Sequence, residues 1–434
     1  MDQKQSSAPV VVVISLFFMW GFITVLVDSL IPRLREVFEL SYFQAGLVQF
    51  AFFIAYGLVS VPAGWLLARI GYQRGMIAGL TVMGFGCLLF WPAAGYRVFG
   101  LFMLGYFTLA SGMTILQVAA NPYITALGTE DGASSRLNLA QAFNSVGTTI
   151  APIIGASFLL SDHIMDSRSI EGLNAVDKAA YFVGEASAVQ MPFVVLAIAL
   201  IVLAVVVGVI HLPKILDGQN TGSFSEALNK SRLMRGVLGI FLYVGAEVAI
   251  GSYLVNYFLS MDLAEPVRIS GAMTGIATVL GKDLATMDAK GVVGVFVALY
   301  WGGAMIGRFV GSYLTRVVQP AMVLMTFGLF AIGALCLSMC TTGFISMWSI
   351  LAVGLFNSVM FPTIFSLAIE GLGSLKPQGS GLLCTAICGG AFIPPLLGLW
   401  ADHSGFKTAF LLVVCCYIYI TYFAWKERRT IVLS

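Results

Sequence analysis

Charged residues are scarce in this chain of 434 residues. Asp, Glu, Lys and Arg together make up only 10% of it, whereas 59% of the residues are hydrophobic. Soluble proteins average about 25% charged residues, so this composition excludes an ordinary soluble protein. The formal net charge is +2 and the sequence has no basic block, which argues against nucleic acid as a partner. The chain is expected to lie in a lipid bilayer.

Residues that carry catalytic or metal chemistry are also few. The three histidines fall at the ends of apolar runs or between them, and the sequence has no GxxxxGK[ST] motif for nucleotide binding. The seven cysteines all lie inside apolar runs, where neither a disulfide nor a zinc framework is expected. These absences argue against direct use of ATP and against an intramembrane enzyme acting on lipids. The sequence predicts no enzyme, no cofactor and no metal site.

Apolar runs long enough to cross a bilayer, which takes about 20 residues, recur along the whole chain. Acidic residues dominate the polar break at 162–188, whereas basic residues crowd the segment at 212–235. Because basic segments tend to stay in the cytoplasm, both termini are predicted to be cytoplasmic. The sequence therefore predicts an all-α integral membrane protein. Its predicted spans, about twelve in number, are 10–31, 43–69, 75–95, 98–127, 137–160, 189–211, 235–260, 291–315, 320–340, 343–370, 379–400 and 406–425.

The two halves of the chain contain similar sequence motifs. The run GTTIAPIIG at 147–155 aligns with GAFIPPLLG at 390–398, and Gly64 and Gly311 are each followed five residues later by an arginine. Internal repeats of this kind are typical of secondary transporters, whose binding site lies near the middle of the membrane between two halves. The predicted organisation is a six-helix half, a cytoplasmic linker and a second, pseudo-symmetric six-helix half, at 1–211, 212–234 and 235–434.

The segment 116–147 places two polar stripes inside an otherwise apolar sequence. On helices, the polar residues of each stripe fall within a sector of roughly 120°. Amides in membranes often bond one helix to another, at about 0.6–2 kcal/mol each, and this packing role is the alternative. A carboxamide both donates and accepts hydrogen bonds, as a hexose hydroxyl does, so four amides on adjacent helices favour a cavity for an uncharged sugar. The predicted substrate-binding amides are Gln117, Asn121, Gln141 and Asn144.

Two acids lie inside predicted spans. A charge near the bilayer centre costs about 2.5–3.5 kcal/mol, so it normally faces a cavity or a partner. Asp28 is a candidate for cation coupling, with a place at the membrane interface as the alternative. Glu247 is a candidate for coupling, sugar binding or both, with pairing to Arg308 as the alternative. Tyr243, one turn before Glu247, and Asn357 in the second half are further candidates for sugar contact.

Aromatic residues near these positions offer flat faces for a sugar ring. Tyr257, Phe356 and Trp301 are such candidates. Aromatics are abundant in this chain, so a core or interface position is the expected role of each one taken alone.

Motifs along nearly all of the chain resemble a known family. GWLLARIGYQRG at 64–75 is similar to a loop motif of the major facilitator superfamily, although Ala68 stands where that motif usually has an acid. The runs AANPYITALG, SSRLNLAQAFNSVGTTIAP and YVGAEVAIGSYLVNY resemble the bacterial fucose, galactose and glucose proton symporters. The pattern is closer to the glucose/galactose permeases, because the fucose permease has glutamate at the position of Gln117 and glutamine at that of Glu247. The resemblance also implies that Asp28 is similar to the proton-carrying residue of the fucose permease.

Residues and resemblance together predict a secondary active transporter that imports a neutral hexose, glucose or galactose, in symport with a proton by alternating access. Sodium coupling, L-fucose or an N-acetyl sugar as substrate, and a multidrug exporter remain alternatives. The amide stripes argue against the exporter, which is expected to present a mostly apolar aromatic cavity. We expect a functional monomer in the inner membrane of a bacterial-type cell, with a hexose and the lipid bilayer as its partners.

Overall fold

The computed structural model of this chain describes residues 8–37, 42–96, 98–159, 172, 174–215 and 222–432. Within these ranges the chain is almost entirely α-helical and has no β-strand. Eleven helical stretches in this part are long and apolar enough to cross a membrane. A further helix of 27 residues, Ala133–Leu159, lies at the place of the predicted fifth span. The prediction of an all-α, multi-pass membrane protein is confirmed.

The helices follow one another with short connections. In chain order they are α1 (Ala8–Val37), α2 (Tyr42–Ile70), α3 (Tyr72–Tyr96), α4 (Phe99–Ala126), α5 (Ala133–Leu159), α6 (Ala175–Val209), α7 (Phe224–Leu228), α8 (Ser231–Leu259), α9 (Ala264–Ile269), α10 (Gly271–Val279), α11 (Ala289–Gly294), α12 (Val297–Val317), α13 (Pro320–Cys340), α14 (Gly343–Asn357), α15 (Met360–Ile369), α16 (Lys376–Thr385), α17 (Gly389–Ser404), α18 (Phe406–Ala409) and α19 (Leu411–Val432).

The helices group into two compact units. The first unit comprises Met1–Gly128, Phe143–Ala227 and Gly371–Thr385, and the second comprises Thr129–Ala142, Leu228–Glu370 and Ala386–Ser434. Each unit thus contains one short segment from the other half of the sequence, namely the start of α5 in the second unit and α16 in the first. The pseudo-symmetry of the halves 1–211 and 235–434 stays a prediction.

The repeated glycines mark the places where these two segments pack. In the first unit, a methyl group on Gly64 of α2 would lie 2.8 Å from the Pro377 carbonyl oxygen of α16, closer than real side chains come. In the second unit, a methyl group on Gly311 of α12 would lie 3.4 Å from Oδ1 of Asn138 on α5. Small residues let helix backbones approach each other in membranes, where packing contributes much of the association energy. The repeat seen in the sequence therefore corresponds to two close helix contacts.

Two predicted spans are broken helices. The span predicted at 343–370 is interrupted at Ser358–Val359, between α14 and α15, and the span predicted at 379–400 is interrupted between α16 and α17. Pro362 falls in the first turn of α15, where a missing backbone donor interrupts no helical bond. Breaks inside membrane helices free backbone groups and are tolerated where they are buried in protein or line a cavity. Asn357 lies at the first of these breaks.

A buried carboxylate near the end of the chain fastens α19 to α8. Glu427 is fully buried, accepts a hydrogen bond from Nη2 of Arg235 at 2.8 Å and forms an ion pair with Nε of Arg232, also at 2.8 Å. Arg232 also pairs with Glu370, at the end of α15. Two basic partners compensate the desolvation of Glu427, because a buried charge is tolerated only when it is paired and hydrogen-bonded.

Gly354 is a position where the fold requires the absence of a side chain. A methyl group there would lie 2.1 Å from the Tyr300 carbonyl oxygen of α12. Gly354→Ala is therefore expected to push α14 from α12 and to cost roughly 1–3 kcal/mol, the usual range for overpacking. Gly333→Ala on α13 is the matched control, since nothing lies within 4 Å of its added methyl group. Thermal unfolding of the two purified variants gives their melting temperatures. Equal melting temperatures for Gly354→Ala and Gly333→Ala would contradict the proposed contact.

Candidate functional site

An acid and a base face each other inside the second unit. Nη2 of Arg308, on α12, lies 3.8 Å from Oε1 of Glu247, on α8, and both side chains are largely buried. Tyr243 lies one turn before Glu247 with its hydroxyl beside the carboxylate. At 3.8 Å the two charges attract without forming a hydrogen bond. Pairing with Arg308, the alternative foreseen for Glu247, is thus present, and the carboxylate keeps acceptor capacity.

Two tyrosines extend this site beyond the predicted residues. Asn357 is fully buried, and its Nδ2 donates to the Tyr300 hydroxyl at 2.7 Å. The Tyr300 hydroxyl in turn lies 3.4 Å from the backbone carbonyl oxygen of Glu247. Tyr417, on α19, lies beside Asn357 and is also fully buried. The structure therefore joins Glu247 and Asn357, distant in sequence, into one polar cluster.

Some acceptors of this cluster are unsatisfied within the described residues. Oε1 of Glu247 and Oδ1 of Asn357 make no hydrogen bond of normal geometry with that part of the chain. Buried polar atoms are normally hydrogen-bonded, and each exception calls for an explanation. Acceptors of this kind suit a ligand that brings its own hydroxyl donors.

The first unit holds a second polar cluster, on α2, α4 and α16. The side chain of Gln117 donates through Nε2 to the Tyr56 hydroxyl. Asn121, one turn further along α4, is fully buried, and neither of its amide atoms makes a hydrogen bond of normal geometry with the described residues. Cys384, on α16, lies beside Asn121. Gln117 thus has a helix-to-helix bond, the packing alternative, whereas Asn121 has none.

The two α5 amides predicted to bind sugar, Gln141 and Asn144, are both buried. Asn144 donates through Nδ2 to the Phe17 carbonyl oxygen of α1 at 2.9 Å. The close approach depends on Gly21, where a methyl group would lie 2.6 Å from that nitrogen. Gln141 lies three residues earlier, almost one turn along the same helix. The bond to Phe17 gives Asn144 a helix-packing role, and contact of either amide with a sugar stays a prediction.

Asp28 lies within α1, but its side chain is outside the described residues. Its role in cation coupling stays a prediction.

The three aromatic candidates occupy packing positions. Tyr257 is fully buried and bonds to Ser338 and Ser346, and it does not join the Glu247 cluster through these contacts. Phe356 packs against Phe330 with ring centroids 5.3 Å apart. Trp301 is 45% exposed. Core and interface roles, foreseen for single aromatics, account for these positions.

Sequence reasoning missed Tyr56, Tyr300 and Tyr417. Each is one tyrosine among fifteen and belongs to no polar stripe. Tyrosine is amphipathic, so its presence in an apolar run does not distinguish a hydrogen-bonding role from core packing. Among the described residues, no group of three or more His, Cys, Asp or Glu side chains could hold a metal ion.

Comparison with known proteins decides the family. The family model of the Major Facilitator Superfamily matches residues 10–393. This chain belongs to the Major Facilitator Superfamily. It is therefore a transporter-family protein and not an enzyme.

Relatives within the superfamily match over nearly the whole chain. The glucose/galactose transporter of Brucella abortus biovar 1 (strain 9-941) is 48% identical over 411 residues, which are 94% of this chain and 91% of that protein. The putative glucose/galactose transporter of Helicobacter pylori (strain J99) is 39% identical, over 96% of this chain and 95% of that protein. The L-fucose-proton symporter of Escherichia coli K12 is 33% identical, over 97% and 93%.

A solved structure agrees with these relatives. The crystal structure of the superfamily transporter FucP in the outward conformation has a TM-score of 0.86 and 32% sequence identity. The match covers 96% of this chain and 98% of that chain. The fold of this superfamily member is thereby confirmed.

The Glu247–Arg308 pair makes a testable contribution to folding. Arg308→Gln leaves the carboxylate in a largely buried site without its cation, which is expected to destabilise the protein by about 3 kcal/mol. The double variant Glu247→Gln and Arg308→Gln removes both charges and should recover most of that loss. Melting temperatures of the two purified variants provide the measurement. A single variant as stable as the double variant would show that the pair does not compensate the carboxylate.

Proposed function

We propose that this chain is a secondary active transporter that imports a neutral hexose, glucose or galactose, together with a proton. The observation that carries the proposal is its 48% identity, over 94% of the chain, to a glucose/galactose transporter. The buried clusters support an uncharged polyol as substrate, because they offer amides, tyrosine hydroxyls and an unsatisfied carboxylate oxygen. L-Fucose and N-acetyl sugars are the alternative substrates.

Proton coupling is favoured over sodium coupling. The Escherichia coli relative that is 33% identical to this chain is an L-fucose-proton symporter. Asp28 is the proposed proton carrier, because Glu247 already has Arg308 as a partner within 3.8 Å.

Glu247 is proposed to bind the sugar. Its Oε1 atom, which makes no hydrogen bond of normal geometry with the described residues, accepts from a sugar hydroxyl, and Arg308 and Tyr243 lie beside the carboxylate. Asn357 and Gln117, which already donate to tyrosine hydroxyls, retain a carbonyl oxygen for a sugar donor. Asn121, Asn144 and Gln141 complete the proposed binding residues.

The membrane arrangement follows from the charges of the sequence. Basic residues at 212–235 favour the cytoplasm for that segment and for both termini, in a bacterial-type inner membrane. The two halves are proposed to rock about a central site in alternating access, and a monomer suffices for this mechanism.

Two neutral variants separate coupling from binding. Asp28→Asn resembles the permanently protonated acid, so it should still exchange sugar across the membrane but lose accumulation driven by a pH gradient. Glu247→Gln loses a charged acceptor, and bonds to charged groups contribute about 1.5–3 kcal/mol, so sugar binding should weaken tenfold or more. Counterflow and gradient-driven uptake in proteoliposomes measure both properties.

The two outcomes that would contradict these roles are distinct. Accumulation by Asp28→Asn in response to pH would remove the proton role from Asp28. If Glu247→Gln alone became an uncoupled exchanger, the proton role of Asp28 and the sugar-binding role of Glu247 would have to be swapped.

Substrate and cation are tested by uptake into proteoliposomes of the unaltered protein. A pH gradient should drive accumulation of labelled glucose or galactose, whereas a sodium gradient at equal pH should not. Fucose and N-acetylglucosamine serve as competing sugars at the same concentration. Accumulation driven by sodium alone would overturn the proton proposal, and failure of every hexose to enter would overturn the proposed substrate class.

A further inference from the structure

The first unit contains a basic pocket that the proposed transport cycle does not use. A cavity of about 250 Å³ lies where α2 ends and α3 begins, and the segment after α6 closes its side. Its lining includes three basic residues, Arg69, Arg74 and Lys214. No carboxylate pairs with any of them in the part of the chain that the structure describes. Among the described residues, the pocket thus concentrates positive charge that no carboxylate compensates.

The local sequence explains this excess charge. Ala68 stands beside Arg69, at the position where the resembling loop motif usually has an acid. Gly71, with φ +80°, turns the chain between α2 and α3 in a conformation that favours glycine. The turn brings the first residues of α3 to the cavity, and the leading backbone N–H groups of a helix have no partner within it. Such N–H groups favour an anion.

The wall of the pocket contains a buried polar group without a partner. Tyr72 lines the cavity and is 4% exposed, and its hydroxyl makes no hydrogen bond with the described residues. The neighbouring Tyr123 differs, because its hydroxyl is 3.2 Å from the Pro213 carbonyl oxygen. Gln73 fixes the wall through bonds of 2.8 Å to the carbonyl oxygens of Val207 and Ile210. The cavity is therefore structurally supported, with the Tyr72 hydroxyl buried in its wall.

The geometry points to a binding site for a phosphate group. Arginine, lysine and a helix N-terminus are donors that commonly hold phosphate oxygens. The volume is below the roughly 300–1,000 Å³ of pockets for drug-sized ligands, which fits a headgroup or a small anion. Arg69 also lies 3.6 Å over the ring of Trp65, which is 51% exposed. Tryptophan and arginine at helix ends are typical of headgroup depth, so phosphate reaches this pocket either on an anionic lipid or from solution.

Thermal stability of the full chain distinguishes the two sources. The purified protein in neutral detergent is titrated with inorganic phosphate against chloride of equal ionic strength, and separately with phosphatidylglycerol against phosphatidylcholine. The proposal expects a rise in melting temperature with phosphate, with phosphatidylglycerol, or with both. A response to phosphatidylglycerol alone assigns a lipid headgroup, and a response to phosphate assigns a soluble anion.

Variants test whether the pocket is responsible. Arg69→Gln, Arg74→Gln and Lys214→Gln combined should weaken binding of the stabilising ligand at least tenfold. Lys282→Gln with Lys290→Gln, two exposed residues outside the pocket, is the matched control. No stabilisation of the unaltered protein by either probe, or an equal loss in the control, would overturn the proposal.

Discussion

The attraction between Arg308 and Glu247 helps the fold keep an acid within a span of an otherwise apolar chain. A carboxylate taken from water into a low-dielectric surrounding costs several kcal/mol unless a counter-charge lies near it. At a separation of 3.8 Å the arginine is such a neighbour, while Oε1 of Glu247 makes no hydrogen bond of normal geometry with the described residues. A closer, fully hydrogen-bonded pair would be stable but would leave the carboxylate no free acceptor site. The fold tolerates this looser pair, and the carboxylate keeps the capacity to accept a hydrogen bond.

The second constraint is how closely helices approach. Gly64 and Gly311 occur where α16 meets α2 and where α5 meets α12, each within its own unit. Hydrogen bonds accompany the close contacts: Ser380 donates to the Val118 carbonyl oxygen, and Asn138 donates to the Thr363 hydroxyl. Polar side chains therefore serve two purposes in this protein. Some bond helices together, and others, such as Asn121, are buried and make no hydrogen bond of normal geometry with the described residues.

Sequence reasoning detects polar residues that stand out against an apolar background. Gln117 and Glu247 stand out because amides and acids are rare inside spans, and the runs of about 20 apolar residues reveal the helices themselves. The break at Ser358–Val359 was not predicted, because the surrounding residues are as apolar as those of an intact helix. Tyr300 was missed for a related reason, since its role depends on meeting Asn357 from another helix. Contacts between distant helices leave little trace in the local pattern of one sequence.

The bonds of Glu427 have a consequence for how the protein is made. Arg235 and Glu427 are separated by 192 positions, and the latter lies close to the end of the chain. During synthesis the two arginines of α8 emerge long before their carboxylate partner. Arg232 can pair with Glu370 before α19 is made, whereas Arg235 gains its counter-charge only when α19 packs against α8. Loss of the Glu427 carboxylate would leave Arg235 without this counter-charge however well the earlier helices had inserted.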